Sequence, residues 1–177
     1  MLFKKSPEKF WDLISSMYAA SPVSDSVSYQ SKIQTIKSYL SPGDVVLDIG
    51  CGTGTQCDDL AESVKQVIGV DISSKLLAIA EQRKAERNIE NVEFIQTSLF
   101  DDQFNPESFN LVMTFYILHF FEDIDEFFTR VYELLKPDGL YIYELPCLGE
   151  KNLFMARLLR FAGYLGFVPL INMLTYK

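Results

Sequence analysis

The sequence is poor in the residues on which metal and redox chemistry usually rest. It holds three cysteines, Cys51, Cys57 and Cys147, at spacings that suit no metal site, and one histidine, His119. His-rich metal centres are excluded, and any histidine-based catalysis has a single candidate. The N-terminus carries no secretory pattern, so the thiols are expected to be reduced and the protein cytoplasmic. Basic charge is also scarce: 16 Lys and Arg against 24 Asp and Glu leave a net charge of −8. Phosphate-backbone binding needs a basic stripe, and none is visible, so no nucleic-acid partner is expected. The acidity serves solubility, or suits a cationic ligand. No apolar run reaches the length of a bilayer span, and there is no internal repeat or low-complexity linker. Apolar and aromatic residues are abundant instead, at 48% and 14% of 177 residues, enough for a core and against disorder.

The order of patterns predicts an α/β chain. Ser6-Pro7 starts a helix with an aromatic-rich face through Phe10, Trp11, Ile14 and Tyr18. A second helix is expected over 26–40, stopped by Ser41-Pro42-Gly43. Strands follow at 45–49, 67–70, 92–96, 109–115 and 140–145. Helices are expected between them at 55–63, 74–87 and 123–135, the last closed by Lys136-Pro137-Asp138-Gly139, and another at 152–162. β-rich runs separated by helix-length connections imply parallel βαβ units in one doubly wound, Rossmann-like sheet.

The stretch VVLDIGCGTGTQ (45–56) puts an aspartate and three alternate glycines directly after the most strand-like segment. In such sheets ligands bind beyond the carboxyl ends of the strands. Gly50, Gly52 and Gly54 let a ligand approach the backbone there, and Asp71 at the end of the next strand offers a carboxylate to a ribose diol. A phosphate-binding loop would need Lys followed by Ser or Thr after the glycines, and a dinucleotide fingerprint would need G-x-G-x-x-G; this loop is G-x-G-x-G. Asp48 would repel a pyrophosphate and attract an ammonium group. The pattern points to a nucleoside with an amino-acid tail.

LDIGCGTG followed by GVDIS resembles the class I S-adenosylmethionine-dependent methyltransferases. FNLVMTFYILHFFED and LLKPDGLYIYE resemble that family's fourth- and fifth-strand segments, and the N-terminal FWDLISSMYAASPVSDSVSY resembles a group of small bacterial members. The resemblance implies S-adenosylmethionine as cofactor and a small-molecule methyl acceptor. Carried over by position, it implies that Gly50, Cys51, Gly52 and Gly54 line the methionine and ribose portion, with Asp48 near the ammonium. Asp71 would hold the ribose hydroxyls and Ile72 the adenine face. Ser98, followed by Leu99, stands where the family often has an adenine-binding Asp, with Asp101 as the alternative. Phe115 and Tyr116 would border the sulfonium and the acceptor.

Other readings stand beside these. Tyr18 suits a lid over the cofactor or simple core. His119 suits a general base or a buried histidine at a strand–helix junction, with Tyr116 the other catalytic candidate. Phe120 and Phe121 suit core anchors, and Cys51 a small packing residue rather than a nucleophile. A cofactor-binding protein without catalysis is the alternative function; an NAD-dependent oxidoreductase is disfavoured by the glycine spacing. The family's sheet usually ends in an antiparallel strand pair, and this sequence ends at LINMLTYK, before that pair would begin, so the expectation is either a truncated chain or an abbreviated relative. We therefore expect one domain over 1–177: a helical lid (1–40), a cofactor-binding core (41–146) and a shortened helical segment (147–177). Its apolar stretch 153–174, charged only at Arg157 and Arg160, would cover the sheet and acceptor pocket, take an apolar substrate, touch a membrane loosely, or support self-association.

Overall fold

A computed structural model describes residues 6–21 and 26–145. Helix α1 (Pro7–Ala20) starts as its sequence dictates: the Ser6 side chain accepts from the Lys9 N–H, and Pro7 occupies the first turn. α2 (Ser26–Lys37) is shorter than expected. The amides of Tyr39 and Leu40 turn back to the carbonyls three residues earlier, so the last turn tightens before Pro42. The alternating core follows: β1 (Val45–Ile49), α3 (Thr55–Leu60) running into a 3₁₀ turn (Ala61–Ser63), β2 (Gln66–Asp71), α4 (Ser74–Glu86) and β3 (Val92–Gln96). Then come β4 (Phe109–Phe115), a 3₁₀ turn (Leu118–Phe120), α5 (Ile124–Leu134) and β5 (Leu135–Glu144).

The five strands form one parallel sheet in the order β3-β2-β1-β4-β5. Strand order reverses between β1 and β4, so the loops leaving these two strands flank the switch point. Helices cover both faces, which is why the strands read as almost continuous apolar runs. Alternation along β1 sends Val46 to one core, with Ile33, Ile36, Cys57, Leu60 and Leu111. Leu47 and Ile49 go to the other, with Val112, Phe127, Val131 and Leu134. Asp48 shares the parity of Val46, so its carboxylate points towards α2 and α3.

β5 departs from the expected turn-then-strand. Leu135 already pairs with Phe109, and the ladder resumes at Leu140 opposite Leu111. Lys136-Pro137-Asp138-Gly139 is therefore a wide bulge inside the strand, with Asp138 in the left-handed region at φ 65°. The turn chemistry is real, but it interrupts a strand instead of preceding one. The helix expected at 152–162 and the question of a terminal strand pair lie outside the described residues.

Candidate functional site

The loop after β1 is fastened to β2. The Gly50 and Cys51 N–H groups both donate to the Val70 carbonyl, at 2.7 and 3.0 Å. Gly50, Gly52 and Gly54 all lie in the left-handed region, at φ 73°, 57° and 73°. Two of them are glycine for a second reason. A Cβ at Gly50 would stand 2.6 Å from Ile117 Cγ2, and one at Gly54 would stand 2.4 Å from Phe94 Cζ. The loop is thus pressed against β3 and the β4 exit, while at Gly52 the nearest side chain is Tyr18, whose Cε1 a Cβ would meet at 3.6 Å.

Two carboxylates face this loop. Asp71 accepts from the Gly52 N–H at 3.0 Å and the Ser73 N–H at 2.8 Å, one on each oxygen. Each oxygen keeps a lone pair for a further donor, as a vicinal diol requires. Burial pushes the Asp71 carboxyl up, opposed by those backbone donors. Asp48 is 2% exposed, and among the described residues its carboxylate accepts from Cys57 Sγ at 3.3 Å. Burial pushes it up to about 7, with Asp71 adding to the rise and Lys32 opposing it. A buried carboxylate whose hydrogen-bond donor among the described residues is a thiol is weakly compensated, and a ligand ammonium would add a direct opposite charge.

The exits of β4 and β5 build the other side. Tyr116 follows Phe115 with φ 60°, a conformation unusual for an aromatic residue and concentrated at functional sites. Its N–H donates to the Glu144 carbonyl at 2.9 Å, and its hydroxyl donates to Glu144 Oε1. Lys32, from α2, pairs with Glu144 Oε2 at 2.8 Å and stands 4.4 Å from the centre of the Phe115 ring. Burial raises the Glu144 carboxyl, but the Lys32 and Tyr116 hydrogen bonds outweigh it and hold the group below its ordinary range. Tyr116 is pushed up to about 12 by burial and by Glu144.

The remaining expected residues are spread more widely. Ile72 is 37% exposed at the β2 end. Ser98 is exposed, its hydroxyl accepting from the Phe100 N–H at 3.3 Å. The Leu99 side chain is buried in the second core, so only its backbone is available to a ligand. Asp101 turns its carboxylate to the Thr97 hydroxyl and the Gln103 N–H. Cys51 is core, and burial raises its thiol, which fits packing and not nucleophilic attack. His119 lies in the 3₁₀ turn, 8% exposed and 4.0 Å from the Phe120 ring centre. Its Nδ1 has no partner among the described residues, and burial lowers its pKa, which favours the neutral imidazole.

Sequence reasoning missed four contributors. Lys32 and Glu144 complete the β4 exit. Arg130, from α5, donates to the carbonyls of Leu99, Asp101 and Phe104 and so shapes the loop after β3. Asp12, from α1, accepts from the Ser73 hydroxyl at 2.6 Å. Glu144 had a usable signal, since an acid closing a strand at the ligand edge is the sign that revealed Asp71. Among the described residues no group of three or more His, Cys, Asp or Glu is placed to hold a metal, and no helix is long and apolar enough to cross a membrane.

Residues 40–160 match the family described as "Methyltransferase domain". A Geobacillus sp. (strain WCH70) protein carrying a methyltransferase name is 39% identical over 125 residues, 67% of this chain and 49% of that protein. The solved structure of YcgJ from Bacillus subtilis superposes with a TM-score of 0.60 at 27% identity, over 64% of this chain and 50% of that one. Haemonchus contortus phosphoethanolamine N-methyltransferase 2, solved with S-adenosyl-L-methionine, gives 0.59 at 28% identity, over 64% of this chain and 27% of that one. The chain spans half or less of the length of these relatives.

Proposed function

This chain belongs to the class I S-adenosylmethionine-dependent methyltransferases, and from that premise we propose that it transfers the cofactor's methyl group directly to a small molecule. The observation that carries the reading is the pairing of a positive-φ glycine loop with two carboxylates of different character. Asp71 is presented to a ribose by two backbone donors, and Asp48 is buried with a thiol as its hydrogen-bond donor among the described residues. That donor set fits the cofactor's nucleoside and its ammonium tail. Bound S-adenosylmethionine supplies a methyl already activated by its sulfonium, so placement and exclusion of water are what the protein adds.

In this reading Gly50, Cys51, Gly52 and Gly54 line the methionine and ribose portion, Ile72 packs on the adenine, and Ser98 accepts from the adenine amino group. Helix α1 acts as a lid through Tyr18, while α2, with Ile33 and Ile36 in the core, belongs to the packed body and not to the lid. Phe115 and Tyr116 border the acceptor. The Tyr116 oxygen can accept from an acceptor O–H or N–H while its own proton is committed to Glu144. His119, favoured as the neutral imidazole, can take up a proton where the acceptor must lose one. The free, buried thiols of Cys51 and Cys57 support a reducing, cytoplasmic setting. The absence of a basic stripe speaks against nucleic acid as the acceptor.

The test is transfer of label from methyl-tritiated S-adenosylmethionine into the small-molecule fraction of a bacterial extract. Label in a low-mass product, absent without the protein, supports the reading. Tight binding of S-adenosylhomocysteine with no labelled product would assign the chain to cofactor binding without catalysis. Label confined to macromolecules would overturn the small-molecule acceptor.

A further inference from the structure

Asp12 was not among the residues expected to matter, yet it reaches the cofactor edge from outside the sheet. It sits on α1, and its Oδ1 accepts from the Ser73 hydroxyl at 2.6 Å and from the Lys75 N–H at 3.2 Å. Ser73 is fully buried and caps α4, its Oγ accepting from the Leu76 N–H at 3.2 Å. The same residue donates its N–H to Asp71 Oδ1 at 2.8 Å. A single serine therefore links a carboxylate on α1 to the carboxylate at the end of β2.

Two more contacts from α1 reach the same edge. Tyr18, six positions after Asp12, stands against the open side of Gly52. Trp11 packs edge-on against Phe120 of the 3₁₀ turn after β4, with ring centres 5.7 Å apart, and against Tyr18 at 5.9 Å. The helix thus spans both sides of the switch point: the β2–α4 turn through Asp12, the glycine loop through Tyr18, and the β4 exit through Trp11. Leu13 and Met17 lie on its outer side, each 67% exposed, while its inner side also packs along α4 and buries Ser15.

We propose that Asp12 is a positioning residue that latches α1 over the bound cofactor, coupling closure of the lid to the Asp71 carboxylate through Ser73. The proposal rests on the cofactor reading above. Closure and ribose binding then reinforce one another, because the Ser73 backbone is set by the Asp12 bond and orients Asp71 in turn. Opening the latch removes the roof and loosens the Ser73 N–H that orients Asp71, so the loss falls on the residence time of the ligand more than on its arrival.

The experiment uses the full chain, S-adenosylhomocysteine as ligand and Trp11, the chain's one tryptophan, as reporter. Asp12→Ala should shift the unliganded emission to the red and raise Kd roughly tenfold, almost all through faster dissociation in stopped flow. Asp12→Asn keeps the accepting oxygen and should stay within about twofold of the parent. Tyr18→Ala should also speed dissociation, and the double variant should lose little beyond Tyr18→Ala alone, because the two act through one closed helix. If Asp12→Ala does not fold, Asp12→Ser, too short to reach Ser73, carries the same expectations. Unchanged Kd and dissociation rate in a folded Asp12→Ala or Asp12→Ser variant would overturn the latch, whatever the melting temperature does, and so would fully additive losses with Tyr18→Ala. A parent chain that does not bind S-adenosylhomocysteine would instead overturn the cofactor reading and this proposal with it.

Discussion

Replacing Gly50 by alanine separates two costs that the loop geometry imposes together. The first is conformational: a residue with a Cβ at φ 73° pays about 1–2 kcal/mol relative to glycine. The second is steric, because the new Cβ would lie 2.6 Å from Ile117 Cγ2 and 3.0 Å from its Cδ1. Forcing a methyl into so tight a contact costs about 1–3 kcal/mol more. Gly50→Ala alone should therefore destabilise by about 2–5 kcal/mol, the sum of these two contributions. Ile117→Ala removes both offending atoms and leaves only Cβ, at 3.4 Å, which is ordinary contact. In that background Gly50→Ala should cost only the conformational part, so the two changes should couple by at least about 1 kcal/mol. Urea unfolding of the four variants measures this directly. Additive losses would show that Ile117 does not press on the loop, and the account of why Gly50 is glycine would fail.

Other consequences follow from the carboxylates and the loop after β3. Asp71→Ala should weaken S-adenosylhomocysteine by about 1.5–3 kcal/mol in calorimetry, the cost of losing hydrogen bonds to a charged group; unchanged affinity in a folded variant would remove Asp71 from the ribose site. Asp48, pushed up to about 7 by burial, must ionise to meet an ammonium, so affinity should fall about tenfold per pH unit below that value and level off above it. The stability sign is opposite. A raised carboxyl contributes stability that is complete below its unfolded value of 3.8 and lost as pH rises through about 7, so this group should lower the melting temperature of the unliganded chain at alkaline pH. Affinity that is flat across the same range would place the ammonium elsewhere. Ser98→Ala should cost about 0.5–1.5 kcal/mol of affinity, and an equal or larger loss from Asp101→Ala would move the adenine contact to the acid.

What could be read in advance follows from how local each signal is. β3 and β4 fall on the expected residues because each is a short apolar run between clear breaks. The glycine loop, Asp48 and Asp71 were legible because the acid and glycines are contiguous and the strand ends place them. β5 was expected to begin at 140 because Pro137, Asp138 and Gly139 spell a turn; that a parallel ladder could resume after a bulge is decided by pairing with β4, not by local chemistry. Lys32, Arg130 and Asp12 look like ordinary surface charges on helices. Their partners lie 112, 31 and 61 residues away, and only the folded sheet brings them together.

The central claim is that the edge built by the β1 loop, Asp48 and Asp71 holds a nucleoside with a cationic amino-acid tail. Isothermal titration of the full chain with S-adenosylhomocysteine, beside NAD under the same conditions, tests it most directly. The account predicts saturable one-to-one binding of S-adenosylhomocysteine, with protons released on binding below about pH 7 as Asp48 ionises, and no binding of NAD. Binding of NAD in preference, or of neither compound, would contradict it.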